Sequence, residues 1–64
     1  MERPDLQSGD DVEITGGGFH GLRGYVQHVR YSKKSGYMIE VMVKVSWWED
    51  LVMVTFPPHW VQKL

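Results

Sequence analysis

Glycines at the spacing of a phosphate-binding loop are the first candidates for chemistry in this sequence. Gly16, Gly18 and Gly21 fit G-x-G-x-x-G, in which glycines let the backbone approach a pyrophosphate. Such a site needs a helix directly after the glycines, because the helix N-terminus holds the phosphates. Residues 22–26, Leu-Arg-Gly-Tyr-Val, favour a strand instead. Lack of a helical pattern also argues against the G-x-x-G loop of RNA-binding KH domains. We therefore expect these glycines to shape the chain rather than to hold a nucleotide.

Patterns for catalysis and for metal binding are weak. His20, His28 and His59 are far apart in the sequence, and a metal site would need them to converge with carboxylates. The chain has no cysteine, which excludes disulfides and thiolate metal sites. Ser, His and Asp all occur, but no motif marks a nucleophile. A pocket that excludes water is also hard to build in 64 residues. We predict a protein that is not an enzyme and has no cofactor or metal.

Positive charge is concentrated in the middle of the chain. The formal net charge is −1, yet residues 20–44 contain five of the seven Lys and Arg residues and one carboxylate, Glu40. Together with Tyr25, Tyr31 and Tyr37, these cations suit phosphate pairing and base stacking on single-stranded nucleic acid. The isoelectric point of about 6.2 is low for such domains. RNA contact is therefore an alternative and not the main prediction. Its candidate residues are Arg23, Arg30, Lys33, Lys34 and Lys44.

Hydrophobic residues alternate along the chain with a period of two, which is typical of strands. The clearest case is residues 37–45, where Tyr37, Ile39, Val41, Val43 and Val45 share one face. Strands are also predicted over residues 11–15, 22–31 and 51–56, with a short closing strand or turn over residues 59–64.

Details of the strands predict where the chain bends and which residues it buries. Val26 and Val29 are three residues apart rather than two, which predicts a bulge between them. Val52, Val61 and Leu64 are expected in the core. Residues 16–18 are expected to use positive φ in a tight reversal, and Gly21 and Gly24 to leave room for the bending chain.

Five strands in so few residues predict an all-β fold, a small and strongly bent barrel. Residues 1–8, which are polar and contain Pro4, are predicted to be a flexible lead-in. Residues 9–64 are predicted to form the domain. No apolar run is long enough to span a membrane, and the cytoplasm is the expected location.

Residues 9–14, Gly-Asp-Asp-Val-Glu-Ile, and residues 17–26, Gly-Gly-Phe-His-Gly-Leu-Arg-Gly-Tyr-Val, together resemble the KOW motif. The rest of residues 9–64 is similar in layout to the C-terminal domain of NusG-type transcription factors. Pro57-Pro58 departs from that layout as an insertion before the last strand. The resemblance implies a five-stranded SH3-like barrel without catalytic activity, which binds proteins or RNA in transcription or translation.

In domains of this family two loops contact the partner, and the corresponding positions here are Phe19 with His20 and Trp47 with Trp48. Adjacent residues of an extended chain point to opposite sides, so one of the two tryptophans is expected to be exposed. Tryptophan is enriched among residues that dominate interfaces. Met53, with Met38, Met42 and Leu51, is expected on the outer faces of the strands, where methionine suits adaptable binding surfaces.

The main prediction is therefore a protein-binding module whose partner-binding residues are Phe19, His20, Trp47, Trp48 and Met53. Three alternatives remain open at this point. The chain could be an RNA- or ribosome-binding module, a phage or mobile-element protein that blocks a host machine, or an accessory subunit that docks an acidic redox carrier. Whether it is a monomer or a homodimer is also open.

Overall fold

The computed structural model describes residues 3–45 and 50–64, and most of them belong to five strands. The strands are β1 (Asp11–Ile14), β2 (Arg23–Ser32), β3 (Gly36–Lys44), β4 (Leu51–Phe56) and β5 (Val61–Lys63). Two 3₁₀ turns, Gly17–Phe19 and Pro58–Trp60, lie before β2 and β5. The predicted all-β character is confirmed, and the segment after residue 58 contains both a turn and a strand.

All five strands form one antiparallel sheet in the order β4-β3-β2-β1-β5. The sheet wraps around a single core but does not close, so β4 and β5 are its two edges in the part of the chain that the structure describes. This arrangement is consistent with a small SH3-like barrel-type fold. The β2–β3 hairpin is its longest element, and β3 confirms the strand predicted from the alternation over residues 37–45.

The core lies on the inner face of the sheet. Ile39, Val41 and Val43 of β3 are fully buried, as their spacing predicts. Its other buried hydrophobic members are Leu6, Val12, Ile14, Val26, Phe56 and Val61. Three residues expected in the core are exposed instead, namely Val45, Val52 and Leu64. Val45 and Val52 stand at or next to the end of a strand, where the sheet no longer covers its own inner face. Leu64 lies on the outer face, because its parity is opposite to that of the buried Val61.

The predicted bulge in β2 is confirmed. The register of β2 on β3 shifts between Val26 and His28, so that Gln27 has no residue directly opposite it. The carbonyl of Gln27 accepts a hydrogen bond from the Ser8 hydroxyl at 3.0 Å. An extra residue of this kind bends the strand, which lets ten residues of β2 pair with β1 at one end and with β3 along most of their length.

Residues before β1 are attached to the barrel. Leu6 is only 7% exposed and belongs to the core cluster, although it lies in the segment expected to be a flexible lead-in. The amide of Gly9 donates to the carbonyl of Val26 at 2.8 Å, and the amide of Val26 donates to the carbonyl of Asp10 at 2.9 Å. Residues 6–10 therefore run beside β2 at its bulge.

The glycines of residues 16–18 have three different environments. Gly17 has a φ of 75°, the left-handed region expected for the reversal. Gly16 is extended, and a Cβ there would lie 2.6 Å from the Trp60 indole nitrogen. Gly18 needs neither conformational freedom nor space, because its φ is ordinary and nothing lies near its Cβ position. The reversal is thus built to let the Trp60 ring lie against the backbone.

Two later glycines differ from each other as well. Gly21 adopts a φ of 92° with open space around it, so conformation rather than room explains it. Gly24 is the reverse case, because a Cβ there would overlap the carbonyl oxygen of Met42 on the neighbouring strand. The expected close approach of the backbone is therefore found at Gly24.

Candidate functional site

Two connections lie at the same end of the barrel. β1 and β2 are joined by residues 15–22, and β3 and β4 by residues 45–50. Gly24 near the start of β2 is opposite Val43 near the end of β3, and Lys44 is opposite Leu51 at the start of β4. Both connections therefore leave the sheet at one end, the end at which partner contact is expected.

An open groove of about 940 Å³ lies at this end, and we call it the end groove. Its apolar lining residues are Leu22, Tyr25, Val45, Leu51 and Leu64. Four of them, all except the half-buried Leu22, are among the exposed large hydrophobic residues of the described chain. Large apolar side chains gathered on one surface of a small protein are typical of a binding site.

Charged side chains accompany the apolar lining. Asp11, Arg23 and Lys44 also line the end groove. The guanidinium of Arg23 donates to a carboxylate oxygen of Glu13 at 3.3 Å, across the β1–β2 pair. Both signs of charge thus accompany the apolar lining, as in the polar rim around the apolar centre of a protein interface, and the groove is not uniformly basic.

The strand register extends this apolar surface across the outer face of the sheet. Tyr25 on β2 is opposite Met42 on β3, and Met42 is opposite Met53 on β4. On the other side Tyr25 is opposite Asp11, whose carbonyl accepts the Leu64 amide at 2.9 Å. We call Tyr25, Met42 and Met53, together with Leu64 beyond Asp11, the outer apolar row. Three of its four side chains are exposed, by 59% at Leu64, 37% at Tyr25 and 55% at Met53.

The partner-binding residues predicted from the sequence lie in different environments. Phe19 packs edge-on against Phe56, with ring centroids 5.8 Å apart, and thus covers the core. His20 is exposed next to the groove residue Gly21. Met53 is exposed and ends the outer apolar row at β4. The predictions for Trp47 and Trp48 lie outside the described residues.

The cations predicted for RNA contact do not gather in one place. Lys33 and Lys34 lie in the β2–β3 turn, whereas Arg23 and Lys44 lie at the opposite end of that hairpin. Nine or ten residues of strand separate the two groups by about 30 Å. Arg30 forms an ion pair with Glu40 across the hairpin. Two of the five cations, Arg23 and Arg30, thus contact carboxylates.

Tyrosines proposed for base stacking are divided in the same way. Tyr31 and Tyr37 pack on each other at the hairpin end, with centroids 4.9 Å apart. Tyr25 lies in the end groove instead.

Sequence reasoning missed three exposed residues of the apolar surface. Tyr25 was expected to contact nucleic acid, and Val45 and Leu64 were expected in the core. A signal for Tyr25 existed, because it is one residue before the buried Val26 and must therefore face outward. For Leu64 the same signal existed, because it is three residues after the buried Val61 and an extended chain places it on the opposite face.

Other features of the described residues are modest. A smaller apolar hollow at the hairpin end is lined by Tyr37, Met38 and Pro57, among others. No three His, Asp or Glu side chains of residues 3–45 and 50–64 are grouped to hold a metal ion. No helix in the same residues has the length and apolar character needed to cross a membrane.

Comparisons with known proteins leave the site to be interpreted from its own geometry. The chain matches no family model, and no curated protein or solved structure is significantly similar to it.

Proposed function

We propose that this protein is a non-catalytic binding module of the KOW, SH3-like type that docks a protein partner in the end groove. The observation that carries the proposal is the gathering of Tyr25, Val45, Leu51 and Leu64, four exposed apolar side chains, around one groove. Exposing such side chains to water has a free-energy cost of about 25 cal/mol per Å² of apolar surface, which a partner removes on binding.

The position of the groove supports the same proposal. It lies where residues 15–22 and 45–50 leave the sheet, and these are the connections that the resemblance to the KOW motif assigns to partner contact. Trp47 and Trp48 belong to the segment that connects the groove residue Val45 to β4. The resemblance alone supports a place in transcription or translation, and a cytoplasmic location with it.

The test places a photo-crosslinking phenylalanine analogue at Tyr25 in cells that express the protein. Its control carries the same analogue at Tyr31, which is 61% exposed at the opposite end of the barrel. Random collisions would favour the more exposed position. We expect a discrete crosslinked protein from position 25, little from position 31, and loss of the product when Leu51→Ser is added. Equal crosslinking from both positions would refute docking in the groove.

A binding assay with RNA distinguishes the docking proposal from the main alternative, an RNA-binding module. A fluorescently labelled single-stranded RNA is titrated into the purified protein at several salt concentrations. We expect weak binding, because the cations are far apart and the phosphates of one short RNA segment could contact only some of them. Tight, salt-dependent binding that is lost in Lys33→Gln/Lys34→Gln, with no crosslink from position 25, would replace the docking proposal by an RNA-binding one.

A further inference from the structure

The outer edge of β4 has the features of an edge that pairs with a further strand. Its sequence, Leu-Val-Met-Val-Thr-Phe, contains no charge and no proline, and it pairs with β3 in continuous register over all six residues. Among residues 3–45 and 50–64, only β3 pairs with it. Exposed edges are normally protected by charged side chains, proline, bulges or brevity, and an edge without any of these recruits a further strand.

We infer that β4 pairs antiparallel with β4 of a second copy, so that two chains form one continuous ten-stranded sheet. The inference does not depend on the proposed docking function. A two-fold axis normal to the sheet reverses the strand direction and keeps the outer face of both copies on the same side. Leu51 belongs both to β4 and to the end groove, so the second copy would lie beside the groove of the first.

The register of this pair depends on which residues of β4 can form a second ladder. Pro57 cannot donate to a ladder, so the pairing has to end before the junction of Phe56 and Pro57. Residues 51–55 remain, and their centre is Met53. A pairing about that centre sets Met53 opposite Met53 of the second copy, Val52 opposite Val54, and Leu51 opposite Thr55.

The free edge of β4 is complementary to itself, and this favours β4 of a second copy as the strand that pairs with it. None of the opposed pairs brings like charges together, and apolar side chains meet apolar ones or a threonine, which suits strand pairing. The net charge of −1 per chain adds little repulsion between two copies. The outer apolar row ends at Met53, so the pairing joins the rows of both copies into one surface.

A disulfide experiment tests the register, because the chain has no cysteine of its own. Directly opposed residues of an antiparallel pair have Cα atoms about 4.5–5.5 Å apart, within reach of a disulfide. With oxidised glutathione as oxidant, Met53→Cys should form a crosslinked dimer of about 15 kDa, twice the chain mass of 7.5 kDa. Thr55→Cys is the control, because its two copies would be about 14 Å apart along the strands. Equal crosslinking of both variants, or of Thr55→Cys alone, overturns the register and with it the inference.

A charge experiment tests the dimer by sedimentation equilibrium without any partner present. The native chain should sediment as a dimer, and Met53→Lys and Met53→Glu should each sediment as monomers because like charges meet at the axis. An equimolar mixture of the two variants should restore the dimer. Met38→Lys is the control on β3, away from the edge, and should remain dimeric. A monomeric native chain, or a dimeric Met53→Lys, overturns the inference. A monomer that still crosslinks from position 25 would leave the docking function standing.

Discussion

Substituting Gly24 by alanine tests how closely β2 and β3 approach each other. Gly24 is opposite Val43, and a Cβ added there would overlap the carbonyl oxygen of Met42. It would also lie 2.9 Å from the carbonyl carbon of Met42 and 3.0 Å from the Cα of Val43. All three contacts are with backbone, which cannot rotate away as a side chain can. The strands would have to separate beside the fully buried Val43 and next to the end groove.

The expected loss follows from that geometry. Overpacking of a core costs about 1–3 kcal/mol even when side chains can shift, so we expect at least about 3 kcal/mol where only backbone can move. A domain of this size has a total stability of about 3–10 kcal/mol. The loss should therefore lower the melting temperature by more than about 12 °C or leave the chain unfolded.

The assay is urea and thermal unfolding followed by far-UV circular dichroism. Gly18→Ala is the matched control, because its Cβ would meet no atom and its φ is ordinary. That variant should be neutral or more stable by up to about 1 kcal/mol, since alanine restricts the unfolded chain. A Gly24→Ala protein within 1 kcal/mol of the native chain would refute the close approach of the strands.

Three further substitutions test the other contacts by the same unfolding assay. Leu6→Ala should cost about 2–3 kcal/mol, because Leu6 is a core residue, whereas a free lead-in would tolerate it at no cost. Trp60→Ala should cost about 2–4 kcal/mol by removing the ring that covers Gly16, and a loss below 1 kcal/mol would contradict that packing. Arg23→Gln should change stability by less than about 1 kcal/mol, because its pair with Glu13 is largely exposed, and a larger loss would mean that the pair is not screened by water.

Local alternation made the strands predictable, but not their ends. Period two over β3 identifies Ile39, Val41 and Val43 as core, and the spacing of Val26 and Val29 identifies the bulge, because both signals come from neighbouring residues. Val52 continues the same alternation and is nevertheless exposed. Whether a strand-end residue is covered depends on what lies across the barrel, which alternation does not encode.

The candidate site was harder to predict for the same reason. Met53 could be placed on the outer face from its parity with Val52 and Val54. The end groove joins residues from positions 11 to 64, and only the strand order brings them together. Phe19 was predicted to contact a partner, but it packs on Phe56. An aromatic residue in a glycine-rich loop is equally suited to either role.

The pairing of β1 with β5 also sets the order in which the chain can fold. Val12 is opposite Lys63, whereas the β3–β4 pair begins with Lys44 opposite Leu51. Closing the longer loop costs about 2 kcal/mol more chain entropy than closing the shorter one. We therefore expect β2, β3 and β4 to be assembled in the folding transition state and β5 to join afterwards. Substitutions in β5 should then accelerate unfolding and leave the folding rate almost unchanged. The last strand would be the first to detach, and transient loss of β5 would open the core beneath Val61 long before the β2–β3 hairpin separates.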